Sequence, residues 1–288
     1  MNPISPELDQ QIRAIVRHCG LQIIQMASQE FEIFEKGPED YVTTIDQALD
    51  AQLSAAFSHL FPNDGVITEE DIQSRQKFYQ KYARLWCIDP LDGTEDFIQG
   101  RSHYSVMVGL LENYQPIAGW IYAPAFDQLY YGGVNWGLFQ TSADGAPMPL
   151  AIAPQRFSAF SADSCRIMIG HRDQTRYGAA IARQIPKVEF SSIGSFGLKV
   201  LEVITGNVGL YLYLNGRVKL WDTVGPLALA KAAGLTCCTL EGEPIRFSPD
   251  AIDPDTLAHR QSIVIGWSDY VEALRPKLEL AVKQVGEK

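Results

Sequence analysis

No apolar stretch in this 288-residue chain approaches the roughly 18 to 20 residues that a bilayer-spanning helix needs. The best runs, Val106 to Leu111 and Val208 to Leu214, have strand lengths, so no membrane partner is expected. Cysteine is scarce and odd in number: Cys19, Cys87, Cys165, Cys237 and Cys238 include no C-x-x-C pair, which excludes thiolate zinc and dithiol redox motifs and fits a reducing compartment. The five histidines, His18, His59, His103, His171 and His259, lack metal-ligand spacing, leaving oxygen chemistry as the metal option. The N-terminus has neither a basic n-region nor a continuous apolar h-region, so a cytoplasmic protein without a signal peptide is expected. Positive charge is also short. With 24 basic and 34 acidic residues the net charge is −10, which argues against a nucleic-acid polymer as partner.

What remains is the composition of a folded globular protein, 46% apolar, 10% aromatic and 20% charged, of a length that suits two joined domains. The charge divides unevenly: residues 1–150 carry a net −12 and residues 151–288 a net +2. An acidic half that holds cations beside a half that meets an anion would use that asymmetry; uneven surface charge explains it equally well.

Ser5-Pro6 offers a helix start, and Leu8, Ile12, Ile15, Val16, Cys19, Ile23 and Met26 follow at helical spacing, ending before about Phe31. A turn-rich link, Lys36-Gly37-Pro38-Glu39-Asp40, precedes a second helix with Ile45, Leu49, Leu53, Phe57 and Leu60 on one face and Asp46 at its start. Val66 to Thr68 reads as a strand ending at Glu69-Glu70, and Leu85 to Ile88 as a buried strand running into Asp89-Pro-Leu-Asp-Gly-Thr94, which is expected to turn. Tyr104 to Leu111, Pro116 to Tyr122, Gln128 to Gly132 and Gly137 to Thr141 read as an antiparallel meander, and Gly132 to Gly137 as its hairpin turn. A proline-rich stretch places a domain boundary near 145–158, dividing 1–150 from 151–288. Beyond it, strands at Arg166 to Ile169, Val188 to Ser191 and Gly209 to Leu214 alternate with helices from about Thr175 to Gln184, Phe196 to Thr205 and Trp221 to Ala233, a layered α/β pattern. Trp86, Trp120 and Trp221 read as core.

The strongest chemical signal is Asp89-Pro-Leu-Asp-Gly-Thr94. Two carboxylates three residues apart, with a proline fixing the backbone between them and the Leu91 carbonyl as a third oxygen, suit a hard cation such as Mg2+. Gly93 and Thr94, just ahead of a helix start, would turn backbone N–H groups toward a phosphate. Singly, Glu69-Glu70 reads as a solvated acidic turn, and Asp46 and Asp222 as helix caps. The set is harder to dismiss: Asp46, Glu69, Asp89, Asp92 and Asp222 all fall at strand–helix junctions, where layered folds build sites.

Asp40-Tyr-Val-Thr-Thr-Ile-Asp46, Glu69-Glu70, Asp89 to Thr94 and Trp221-Asp222 with the trailing Ala228 to Gly234 stretch resemble, in order and spacing, the signatures of the inositol monophosphatase superfamily. The resemblance implies an α+β fold of stacked α-β-α-β-α layers, and a magnesium-dependent, lithium-sensitive phosphomonoesterase that is commonly a homodimer. It implies that Glu69, Asp89 and the Leu91 carbonyl hold one Mg2+, that Asp89, Asp92 and Asp222 hold a second, and that Glu69 helps with a third. Thr94, hydrogen-bonded to Asp46, would orient or deprotonate the attacking water with Asp46 as the ultimate base, and Glu70 joins them as a catalytic candidate.

For the substrate, a small phosphorylated metabolite, Thr94-Glu-Asp-Phe-Ile98, Gly194-Ser195 followed by Leu198-Lys199, and Thr223 after Asp222 resemble the 3′(2′),5′-bisphosphate nucleotidases. Phe196 interrupts the small-residue pattern of that branch, and Leu235 replaces the second glycine of the usual Ala-Gly-Gly. Asn215 stands where inositol monophosphatases carry a hydroxyl-binding glutamate. Arg217 and Lys219 are candidates for a second phosphate, with an exposed basic edge-strand pair as the plainer reading. The expectation is therefore a bisphosphate nucleotidase; an inositol-1-monophosphatase and a catalytically silent metabolite-binding relative are the alternatives, with histidinol phosphate and fructose bisphosphate as further substrates.

Overall fold

The computed structural model describes residues 4–37, 40–142, 145–154 and 165–286. Most of the link at 36–40 is therefore visible, but its residues 38 and 39, like part of the expected boundary at 145–158, lie outside the described residues. The chain opens with helix α1 (Pro6–Ala27), capped by the Ser5 hydroxyl accepting from the Leu8 N–H, and buries Ile12, Val16, Cys19 and Ile23 along one stripe. A hairpin of β1 (Ile33–Gly37) and β2 (Asp40–Thr43) follows, which the sequence pattern missed because its link hides two strands of only 5 and 4 residues. Helix α2 (Thr44–Leu60) then begins on a capping box made by Thr43 and Asp46.

The larger sheet runs β3 (Gly65–Thr68), β4 (Arg84–Asp92), β5 (Ser105–Glu112), β6 (Gln115–Ala123), β7 (Gln128–Gly133), β8 (Gly137–Thr141) and β9 (Met148–Pro149) in chain order, with β3 parallel to β4 and the rest antiparallel. The expected meander is there. The expected turn at Asp89–Asp92 is not: β4 continues to Asp92, and the one-turn helix α3 (Thr94–Ile98) starts only after Gly93. Asp89 pairs with Met107 and Asp92 with Ser105, so three steps on β4 face two on β5, a bulge at a proline that has no N–H for the ladder. That bulge is the turn the motif demanded, made without leaving the sheet.

The second sheet is mixed. Its order is β11 (Val188–Ser191), β10 (Cys165–Ile169), β12 (Leu210–Tyr213), β14 (Ile263–Gly266) and β13 (Thr236–Cys238). Helix α4 (His171–Gln184) begins four residues before its apolar periodicity suggests, α5 (Phe196–Ile204) is capped by Ser195, and α6 (Leu220–Ala232) and α7 (Ser268–Gly286) complete the chain. Helices α1 and α2 cover the outer face of the large sheet, α6 packs between the sheets with α5 beside it, and α4 with α7 covers the far side of the small sheet. These are the expected α-β-α-β-α layers.

Helix α6 sits unusually close to the large sheet. A Cβ on Gly109 would lie 2.3 Å from the Gly225 nitrogen and one on Gly119 2.4 Å from the Gly225 carbonyl oxygen, so three glycines let backbone meet backbone. Trp86, Trp120 and Trp221 are fully buried in the two cores. Asp222, expected as the cap of this helix, is its third residue, because α6 starts at Leu220.

Candidate metal centre

Strand β4 delivers Asp89 and Asp92 through its bulge, and α6 delivers Asp222 from the opposite layer. One carboxylate oxygen from each of the three lies within 4.8 Å of the others. They line a cavity of about 190 Å3 together with Tyr41, Glu69, Leu91, Gly93 and Thr94. Burial raises Asp92 to about 6, against hydrogen bonds from the Ser195 hydroxyl and the Gly197 N–H. Burial, then the charges of Glu69 and Asp92, raises Asp222 to about 7, and Asp89 is pushed well above the ordinary carboxylate range by burial and the three acids around it. Two buried acids and a half-buried one this close repel one another when ionised unless a cation joins them, and an all-oxygen donor set fits Mg2+ or Ca2+ and not a thiolate or imidazole metal.

Glu69 and Glu70, at the end of β3, take a different partner. The Lys36 ammonium, on the β1–β2 hairpin, lies 3.0 Å from Glu69 Oε1 and 2.8 Å from Glu70 Oε1, and Lys219 lies 3.8 Å from the same Glu69 oxygen. Although burial opposes it, these ammonium groups hold Glu69 below its ordinary value, whereas burial and its neighbour Glu69 push Glu70 up to about 7. Sequence reasoning passed over Lys36. Its signal was isolation: it is the one Lys or Arg between Arg17 and Arg75, within an acidic stretch.

Asp46 does two jobs with two oxygens. Oδ2 accepts from the Thr43 N–H at 2.9 Å and from the Thr43 hydroxyl, capping α2, while Oδ1 lies 3.2 Å from the Thr94 hydroxyl. Expected as the cap of this helix, Asp46 is the third residue of α2 and closes the capping box on Thr43, the N-cap, while its other oxygen meets Thr94. Burial raises it to about 6. The Thr94 hydroxyl also reaches the Leu91 carbonyl at 3.0 Å, and Gly93 adopts φ +93°, where a Cβ would press to 2.9 Å from the His103 carbonyl and 3.0 Å from the Ser195 nitrogen.

The expected substrate contacts separate. Ser195 is fully buried; its hydroxyl bonds Asp92 and Ser105 and caps α5, so it positions a carboxylate instead of facing solvent. Gly194 donates its N–H to Asp96, and the Lys199 ammonium donates to the Gly194 carbonyl at 2.8 Å. The Asn215 side-chain oxygen accepts from the Tyr213 hydroxyl and the Arg217 N–H, fixing the turn after β12. Lys219 is the residue before α6, its backbone N–H on Asp222, and Arg217 lies in the preceding loop, so neither belongs to an edge strand. Arg217, Lys219, Gly194 and Lys199 line a second cavity of about 270 Å3 that shares Asp92 and Asp222 with the first.

Among the described residues no helix is long and apolar enough to cross a membrane. The sequence profile described as the inositol monophosphatase family matches residues 6–281. An inositol-1-monophosphatase of Bacillus subtilis is 26% identical over 242 residues, covering 84% of this chain and 88% of the relative. A 3′(2′),5′-bisphosphate nucleotidase CysQ of Salmonella typhimurium is 29% identical over 251 residues, covering 83% and 94%. In fold, the chain is similar to an IMPase/NADP phosphatase solved with Mg2+ and phosphate, at a TM-score of 0.75 and 19% identity over 94% of each chain.

Proposed function

The chain belongs to the inositol monophosphatase family and is a phosphoric monoester hydrolase, and we propose that its preferred substrate is a 3′(2′),5′-bisphosphate nucleotide such as 3′-phosphoadenosine 5′-phosphate. The observation that carries the chemistry is the convergence of Asp89, Asp92 and Asp222 from two layers on a cavity that Thr94, hydrogen-bonded to the buried Asp46, also lines.

In this reading Glu69, Asp89, Asp92, Asp222 and the Leu91 carbonyl would hold two or three Mg2+ ions, whose charge would make a bound water more acidic and offset that of the phosphate. The fold neighbour solved with Mg2+ and phosphate supports that choice of metal. The chain's own part is positioning and proton transfer. Thr94 aligns the attacking water with its hydroxyl, and Asp46, raised by burial toward neutrality, takes the proton that passes through it. Glu70, raised to about 7, pairs with Lys36 outside the lining of the acidic cavity, so its proton-accepting part would be through its neighbour Glu69. The N–H groups of Gly93 and Thr94, at the N-terminal end of α3, would donate to the phosphate.

Two features favour a bisphosphate over an inositol phosphate. The wall beside the metal centre is basic, with Lys199, Arg217 and Lys219 on it. Asn215, in place of a glutamate, has its oxygen committed to the turn and offers no carboxylate to a sugar hydroxyl. A cytoplasmic, lithium-sensitive homodimer, divided near residue 150, completes the proposal. A phosphate-release assay with Mg2+ on 3′-phosphoadenosine 5′-phosphate, inositol 1-phosphate, histidinol phosphate and fructose 1,6-bisphosphate tests it. The highest kcat/KM belongs to the nucleotide; a preference for inositol 1-phosphate overturns the substrate assignment.

A further inference from the structure

We propose that Asp50 and Arg75 are positioning residues that grip the single peptide unit between Glu69 and Glu70 and so fix which of these two glutamates enters the metal centre; this rests on the metal reading above. Asp50 lies on α2 one turn beyond Asp46 and is 5% exposed. Its Oδ1 accepts from the Glu70 N–H at 3.2 Å, and its Oδ2 accepts from the Thr68 hydroxyl at 2.8 Å. Arg75 comes from the 3-10 helix Ile72–Tyr79, and its Nη2 donates to the Glu69 carbonyl at 3.4 Å. The Glu69 carbonyl and the Glu70 N–H belong to one planar peptide and point away from each other, so a buried carboxylate and a half-buried guanidinium hold that plane by its opposite edges.

The clamp acts where the sheet stops holding the chain. The Glu69 N–H still bonds the Ile88 carbonyl of β4 at 3.1 Å, but β3 itself ends at Thr68. The Ser74 hydroxyl accepts from the Thr68 N–H at 3.1 Å and donates to the Asp71 carbonyl at 2.6 Å, which ties the helix carrying Arg75 to the same strand end. Adjacent residues of an extended chain point to opposite sides, so the plane between Glu69 and Glu70 decides which carboxylate the cavity receives. Glu69 lines the acidic cavity and Glu70 does not. Arg75 also reaches the other layer: its guanidinium carbon lies 5.3 Å from the centre of the Trp221 ring, and its Nη1 lies 3.4 Å from the Asp255 carbonyl. Trp221 directly precedes Asp222, so one side chain links the Glu69 peptide to the start of α6. Neither Asp50 nor Arg75 lines the cavity, and both act through Glu69.

Removing a group that orients a metal ligand typically costs about 10- to 100-fold in metal affinity. The experiment measures binding of Mn2+, an oxygen-seeking stand-in for Mg2+ that is counted by its EPR signal, to metal-free protein, beside the melting temperature in EDTA. Wild type should bind Mn2+. Arg75→Ala should bind it about tenfold more weakly, with a melting temperature within about 3 °C of wild type. Asp50→Ala should weaken binding at least as much, whereas Asp50→Asn, which keeps an oxygen for the Glu70 N–H, should lose less than about threefold. If Asp50→Ala does not fold, Arg75→Ala and Asp50→Asn decide. Wild-type binding that Arg75→Ala leaves unchanged overturns the clamp and leaves the metal reading standing. A tenfold loss matched by a large fall in melting temperature, or an Asp50→Asn loss of tenfold or more, also overturns the clamp, the first by showing general packing and the second by showing charge alone. A wild type that binds no Mn2+ overturns the metal reading and the clamp with it.

Discussion

The Thr94 hydroxyl lies 3.2 Å from Asp46 Oδ1, joining the first residue of α3 to the third residue of α2 across 48 positions of sequence. Because Asp46 Oδ2 is spent on capping α2, the two oxygens separate a structural role from a chemical one. Thr94→Ala should lower kcat by about a hundredfold or more, the scale of a lost general-base contact, with little change in thermal stability. Thr94→Ser, which keeps the hydroxyl, should recover most of it. Steady-state kinetics decide: equal losses in the two variants would show that the hydroxyl is not the working group.

Lys219 and Arg217 are two residues apart and should behave differently. Lys219 reaches Glu69 and precedes α6 with its N–H on Asp222, so Lys219→Ala should lower kcat for every substrate by about the same factor. Arg217→Ala should penalise bisphosphates selectively. Kinetics on 3′-phosphoadenosine 5′-phosphate and inositol 1-phosphate separate the two, and identical profiles would count against this division.

The approach of α6 to the large sheet sets where Asp222 stands. Gly119→Ala places a methyl group 2.4 Å from the Gly225 carbonyl oxygen, backbone that no rotamer change can move. The expected cost is about 1 to 3 kcal/mol, read from urea unfolding, with a parallel loss of Mg2+-dependent activity as α6 shifts. A variant that keeps both the unfolding midpoint and the activity would mean the layers have slack here.

His259 is buried against Thr223, its Nε2 2.9 Å from the threonine hydroxyl, and burial pushes it down to about 3. Unfolded, it titrates near the ordinary value of about 6.5. Between those values the unfolded chain binds a proton that the folded chain refuses. Its stability contribution is therefore present above about 6.5 and lost as the pH falls, at up to about 1.4 kcal/mol per pH unit. Urea unfolding at about pH 7.5 and about pH 5 should show wild type losing at least about 1 kcal/mol more than His259→Gln. Parallel losses would remove His259 from the acid response.

The legible parts of this protein were the ones written in short, contiguous chemistry. Asp89 to Thr94 pointed to an acidic cluster because its carboxylates, proline and glycine are adjacent in sequence, and the apolar stripes of α1 and α2 are periodic over several turns. Asp222 read locally as a cap; what makes it a partner of Asp89 is the sheet–helix–sheet stacking, which no local pattern states. The β1–β2 hairpin escaped because its strands are too short for a period-2 signal, and Lys36 escaped with it. Ser195 is the reverse case: its neighbour Gly194 and the motif suggested a ligand contact, but the helix it caps turns the hydroxyl inward onto Asp92.

The central claim is that Asp89, Asp92 and Asp222 together hold the metal on which phosphate release depends. The most direct measurement is phosphate release from the preferred substrate as a function of Mg2+ concentration, by wild type and by Asp222→Asn, with EDTA as the zero point. Replacing one carboxylate removes an anionic ligand while leaving the shape of the site. Wild type should show saturable activation that EDTA abolishes, and Asp222→Asn should stay more than about tenfold below it at every Mg2+ concentration. Activity of the variant within tenfold of wild type, or wild-type turnover that survives EDTA, would contradict the account.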